Sequence, residues 1–135
     1  MTLPPDAAPR ARHAHPFRLI DRVIEAGGAC CTAFKAITTG EHPGPEGENT
    51  GDYPAALVVE ALAQAALPLA GGATGVLVGM DRVRLHRPVV PGDTLTITAT
   101  VSMRLGGLVR VASRAEVAGV LVAEGEFTMS EGLHP

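Results

Sequence analysis

Residues 51–72 read GDYPAALVVEALAQAALPLAGG, and from Ala55 to Ala70 this stretch is apolar except for Glu60, Gln64 and the break at Pro68. The run is too long for an ordinary strand and is full of Ala and Leu. It stops at Pro68 and Gly71-Gly72, so it predicts a buried helix over 55–70. Tyr53-Pro54 just before it suits a helix start. An ionised carboxylate inside a buried helix is costly, so Glu60 must be paired, kept neutral or open to a cavity. Burial would raise its pKa and favour the protonated acid near neutral pH. Gln64 falls one turn further along the same face, where it can orient Glu60 by a hydrogen bond. The competing reading is a single solvated stripe, the usual place for a lone polar residue on a helix. No polar stripe accompanies Glu60, which weakens that reading.

Around this helix the pattern is strand-like. Phe17–Ala26 (FRLIDRVIEA) and Ala29–Thr38 (ACCTAFKAIT) read as a hairpin turning at Gly27-Gly28. Residues 40–54, with four Gly and three Pro, read as a loop. After the helix come 75–86, 94–104, 108–118 and 120–129, joined by a Pro-Gly-Asp turn at 91–93 and by Gly106-Gly107. Thr94, Thr96, Thr98 and Thr100 alternate with apolar neighbours at period two, as in a half-buried antiparallel strand. Two strands, one very apolar helix and four long strands predict an α+β domain with one antiparallel sheet wrapped around one helix. Residues 1–16, which hold four prolines, read as an N-terminal arm, and 17–135 as a single domain.

At 135 residues the chain can bury a core. Aromatics are 3% with no Trp, so that core must be built from Val, Leu, Ile and Ala, and oligomerisation would add burial. A net charge of −3 argues against nucleic acid as partner. Six Arg between 80 and 115 (Arg82, Arg84, Arg87, Arg104, Arg110, Arg114) stand against Asp81 and Asp93. They form either a seat for an acidic partner or ordinary solubilising charge. Cys30 and Cys31 are adjacent and would point to opposite faces of a strand, which disfavours a disulfide between them. No Cys/His spacing suits zinc. No signal-peptide core is evident, and 55–70 is too short and Ala-rich for a membrane span, so a reducing cytoplasm is the expected setting.

HAHPFRLIDRV (His13–Val23), YPAALVVEALAQ (Tyr53–Gln64) and RLHRPVVPGDTL (Arg84–Leu95) occur in that order, and together they resemble the FabZ/FabA family of 3-hydroxyacyl-[acyl carrier protein] dehydratases. The resemblance runs from about His13 to Met129. It implies the hotdog fold, a curved sheet of about six strands around one central helix, assembled as a homodimer or a trimer of dimers with acyl tunnels at the interface. It implies a 3-hydroxyacyl thioester of an acyl carrier protein, or of coenzyme A, as substrate, and no metal or other cofactor. In that family a His takes the C2 proton while an acid on the central helix, contributed by the other subunit, protonates the leaving 3-hydroxyl. The matching acid here is Glu60. Backbone N–H groups near the helix start would polarise the thioester carbonyl. Tyr53, Pro54, Ala55 and Gln64 match positions around the substrate.

The chain departs from the family just before the helix. The Gly-His-Phe-Pro-Gly motif carrying the base is absent, and its His position falls, without gaps, on Glu46. His42 in GEHPG is the nearest substitute, and Glu46 or Asp52 are carboxylate replacements. Pro54-Ala55 stands where the family has Pro-Gly. His13 and His15 are expected to pack near the first strand, His86 to have a structural or partner-contact role, and His134 to be uninvolved. Two rival functions remain open: a hotdog acyl thioesterase, whose helix carboxylate activates water, and a non-catalytic acyl-binding subunit.

Overall fold

The structure, a computed structural model, describes residues 20–26, 29–38, 52–71 and 75–131. The arm at 1–16, with His13 and His15, lies outside the described residues, as do His42, Glu46 and His134.

The described chain runs β1 (Arg22–Ala26), β2 (Cys30–Ala36), α1 (Ala55–Ala66), β3 (Val76–Leu85), β4 (Thr94–Leu105), β5 (Leu108–Val117) and β6 (Val120–Ser130). All six strands join one antiparallel sheet in the order β1-β2-β4-β5-β6-β3. The helix therefore separates β2 from a strand that pairs at the far edge of the sheet. It lies over β2, β4, β5 and β6 and barely reaches β3. This is the hotdog arrangement, with the element order that the sequence predicts.

The helix is shorter than the apolar run. α1 ends at Ala66 and a single 3-10 turn, Leu67–Leu69, follows. Pro68 has no N–H to continue the α ladder and its ring would clash with the preceding turn. The chain tightens instead, with the Leu67 N–H donating to the Gln64 carbonyl and the Ala70 N–H to that of Leu67.

Period-two patterning holds where the helix covers the sheet. Leu95, Ile97 and Ala99 are buried while Thr94 and Thr100 are exposed and Thr96 and Thr98 half-buried. Registers align mostly small side chains in two rows across the inner face: Ala33, Ala115 and Ala123 with the larger Ile97 among them, and Cys31, Ala99, Ser113, Gly125. Ala61, Ala65 and Ala66 of α1 are fully buried against this surface, so small residues on both sides let helix and sheet approach closely. Gly125 has a further reason to be glycine. A Cβ there would sit 3.1 Å from the Phe127 ring and 3.2 Å from a Val83 methyl. Phe127, the largest fully buried side chain, folds over that gap in a core with few aromatics.

Candidate functional site

α1 buries Val58, Ala61, Leu62 and everything from Ala63 to Ala66, but Ala55 and Ala56 are exposed and Leu57, Val59 and Glu60 only half-buried. The uncovered side of the helix is thus apolar apart from Glu60. Gln64, 2% exposed, donates from Nε2 to Glu60 Oε1 at 3.2 Å. A buried amide cannot turn freely toward water, so it holds the carboxyl group in one orientation. Glu60 is accordingly neither on a polar stripe nor deeply enclosed. Its surroundings are an apolar face that the single chain leaves open.

Among the described residues the start of α1 is uncapped. Pro54 is the N-cap and provides no capping side chain, and the first turn contains no acidic residue. The first intrahelical acceptor is the Pro54 carbonyl, which takes the N–H groups of Leu57 and Val58. The N–H groups of Ala55 and Ala56 precede those bonds and point out of the helix end. With the helix dipole, they favour a partial negative charge. Ala55 is about 8 Å along the axis from Glu60 at 1.5 Å per residue. Tyr53 is buried, Pro54 half-buried and Asp52 exposed. The Tyr53 N–H donates to the Val89 carbonyl at 2.7 Å.

β3 supplies the open surface beside this face. Leu77, Met80 and Leu85 pair with Met129, Phe127 and Ala123, so they face the helix side of the sheet, yet they are exposed because α1 stops short of them. Val76 and Val78 are exposed on the same edge strand. At Arg82 the strand bulges, with φ +53°. The Arg82 N–H donates to Asp81 Oδ1 at 2.8 Å and its guanidinium to Glu126 at 2.7 Å.

The six Arg do not share one free face. Arg82 pairs with Glu126, Arg87 with Asp93 at 3.1 Å, Arg114 with Glu116 at 4.0 Å, and Arg104 with Glu131 and the Leu69 carbonyl. Arg84 and Arg110 have no ion-pair partner among the described residues. His86, just past β3, has Nε2 within hydrogen-bond distance of the Glu124 carboxylate at 2.7 Å, and its backbone N–H donates to the Val122 carbonyl. Cys30 is exposed and Cys31 buried, both free. Burial, aided by neighbouring Cys30, pushes the Cys31 thiol up to about 12.

Two features escaped sequence reasoning. Lys35 is buried at 3% exposure with its ammonium 3.7 Å from Asp21, whose other carboxylate oxygen accepts the Ala36 N–H at 2.6 Å. The hairpin register that sets Asp21 beside Phe34 and Lys35 was the available signal. The Arg87–Asp93 pair inside the Pro-Gly-Asp turn is the other. An open hollow of about 500 Å³ lined by Asp21, Phe34, Ala36 and Thr94 lies on the outer face, away from Glu60. Among the described residues no three His, Cys, Asp or Glu side chains converge on a metal site, and no helix is long and apolar enough to cross a membrane.

No protein-family model matches the chain. It is 39% identical over 128 residues to the 3-hydroxyacyl-[acyl-carrier-protein] dehydratase FabZ of Streptococcus pyogenes serotype M5, covering 89% of this chain and 91% of that protein. The structure superimposes on a chain of the dehydratase heterocomplex ApeI:P from Xenorhabdus doucetiae with a TM-score of 0.78 at 19% identity, covering 96% of this chain and 91% of that one. It also superimposes on thioesterase superfamily member 2 of Mus musculus with a TM-score of 0.68 at 18% identity, covering 82% and 80%. Both structural likenesses speak to the fold alone.

Proposed function

The chain belongs to the 3-hydroxyacyl-[acyl-carrier-protein] dehydratase FabZ family, and on that premise we propose that it eliminates water from 3-hydroxyacyl thioesters to give trans-2-enoyl thioesters. The observation that carries the reading is the Glu60–Gln64 pair on the open apolar side of α1, next to a helix start without cap or carboxylate.

A base removes a C2 proton, and the electrons of that C–H bond form the C2=C3 double bond. The C3–O bond breaks, and the leaving oxygen takes a proton from the Glu60 carboxyl and departs as water. Charge that builds on the thioester oxygen is met by the Ala55 and Ala56 N–H groups. Gln64 orients the acid, while Tyr53 and Pro54 shape the wall beside the helix start. His42 is the proposed base, with Glu46 or Asp52 as its replacement. The elimination is redox-neutral and the proposal includes no cofactor.

A second copy of the chain against the β3 edge would cover Leu77, Met80 and Leu85 and enclose the acyl chain between two subunits. A homodimer is therefore the working assembly, alone or as a trimer of dimers. The thioester is carried by an acyl carrier protein, for which Arg84 and Arg110, without an ion-pair partner among the described residues, are candidate contacts, or by coenzyme A. The free thiols suit the cytoplasm.

Purified protein given a 3-hydroxyacyl carrier-protein substrate should form the trans-2-enoyl product, and Glu60→Gln should lower turnover by about 10²- to 10⁴-fold. Undiminished turnover in that variant overturns the assignment. Release of free thiol would instead indicate a thioesterase, and tight acyl binding without turnover a non-catalytic subunit.

A further inference from the structure

The turn Arg87-Pro88-Val89-Val90-Pro91-Gly92-Asp93, between β3 and β4, has no part in the chemistry above, yet it is the most internally bonded loop described. Its tip is a type II turn: the Asp93 N–H donates to the Val90 carbonyl at 3.0 Å, with Pro91 and Gly92 in the central positions. Gly92 has φ +99°, which that turn requires and only glycine adopts freely. The Asp93 carboxylate closes the loop from inside. Its Oδ2 accepts the Val90 N–H and Arg87 Nη1, each at 3.1 Å, and the same Nη1 donates to the Pro88 carbonyl at 2.7 Å. The Val90 N–H first, and Arg87 second, hold the Asp93 carboxyl below the usual carboxylate range.

This closed loop reaches outward to two other segments. Ile37, just past β2, donates to the Asp93 carbonyl and accepts from the Gly92 N–H, both at 2.9 Å. Tyr53, two residues before α1, donates to the Val89 carbonyl at 2.7 Å. Val89 and Tyr53 are buried, so this bond is shielded from water. Pro54 has no N–H and no side-chain cap, so among the described residues the Tyr53 N–H ties the backbone leading into α1 to the rest of the fold.

We propose that Asp93 is a positioning residue: by fixing Val90 and Arg87 it places the Val89 carbonyl, and through Tyr53 it sets where the Ala55 and Ala56 N–H groups stand against the thioester oxygen. The catalytic half of this inference rests on the dehydratase reading. Small displacements of such donors lower the transition-state term more than ground-state binding.

The test uses the intact chain and three variants, Asp93→Ala, Asp93→Asn and the milder Arg87→Gln, which keeps the carboxylate bond to Val90. Amide hydrogen exchange at Tyr53 should speed up in Asp93→Ala relative to the wild type, and less in Arg87→Gln. In the dehydratase assay kcat should fall about ten- to a hundredfold in Asp93→Ala with KM within about threefold. Asp93→Asn, which retains an acceptor for Val90, should recover part of the loss. Unchanged exchange at Tyr53 overturns the anchor, and unchanged kcat despite faster exchange overturns its catalytic role. If Asp93→Ala does not fold, Arg87→Gln and Asp93→Asn carry the same two readouts. A wild type without dehydratase activity defeats the proposed function, whereas the anchor is still decided by exchange.

Discussion

β3 and β5 are both ten residues long and similar in apolar content, VLVGMDRVRL against LVRVASRAEV. In β5, Val109, Val111, Ser113 and Ala115 are buried and alternate with exposed or half-buried neighbours. In β3 every residue but Val83 is exposed, including Val78 at 57% and Met80 at 56%. Strand chemistry does not separate them. β5 lies between β4 and β6 beneath α1, while β3 is an edge strand that the helix does not cover. Similar apolar content is thus core in one strand and exposed edge in the other, and it is this exposed apolar edge that the proposed homodimer would cover.

The strongest way to break this comparison is to put a carboxylate in each strand. Val111→Asp buries an unpaired charge under the helix and should cost about 4 kcal/mol or more, read from the denaturation midpoint. Met80→Asp should leave monomer stability within about 0.5 kcal/mol and instead shift the protein toward the monomer in sedimentation. Equal destabilisation by both would mean that β3 is as enclosed as β5. At the border of the two regions, Gly125→Ala pushes a methyl against Phe127 and Val83. It should cost about 1–3 kcal/mol by thermal melting, and a neutral effect would show that the Phe127 ring can give way. The same contrast between faces can be read at adjacent residues with little energetic consequence. A thiol reagent should label Cys30 and spare Cys31 in the folded protein, even at about pH 9, because the Cys31 thiol titrates only near 12. Labelling of both at equal rates would place β2 in a different register.

Much of the architecture was legible before any coordinates. The Thr94–Thr100 alternation, the Gly-centred turns at Gly92 and Gly106-Gly107 and the start of the Ala/Leu helix each follow a period or a break that local chemistry imposes, and each appears where expected, while the Gly27-Gly28 turn lies outside the described residues. The end of α1 was misplaced by one turn, since hydropathy continues through Leu69 while the backbone obeys Pro68. Along the sequence the six Arg read either as a seat for an acidic partner or as solubilising charge; in the structure Arg82 meets Glu126 across strands, Arg114 meets Glu116 along β5, Arg87 meets Asp93 within the turn and Arg104 meets Glu131. Gln64 as orienter of Glu60 follows from helical spacing, and the structure makes that bond. Lys35 is signalled only by the hairpin register, and the buried Ser113 hydroxyl, without a hydrogen-bond partner among the described residues, bears no sequence signal. Their burial depends on which strands flank them.

Sequence alone determined the strand and helix content, the opposite faces of Cys30 and Cys31, and Glu60 as the one carboxylate of the apolar helix. Those properties depend on dihedral preferences and on periods of two and 3.6 residues, which are local. Tertiary structure alone decided that β3 is the uncovered edge, that Arg82 and Arg104 are spent on Glu126 and Glu131, and that the Arg87–Asp93 turn ties down the segment leading into α1. Those facts depend on contacts between residues distant in the chain. No local rule reaches that far, because pairing register and helix placement are settled only when the whole sheet closes on its core.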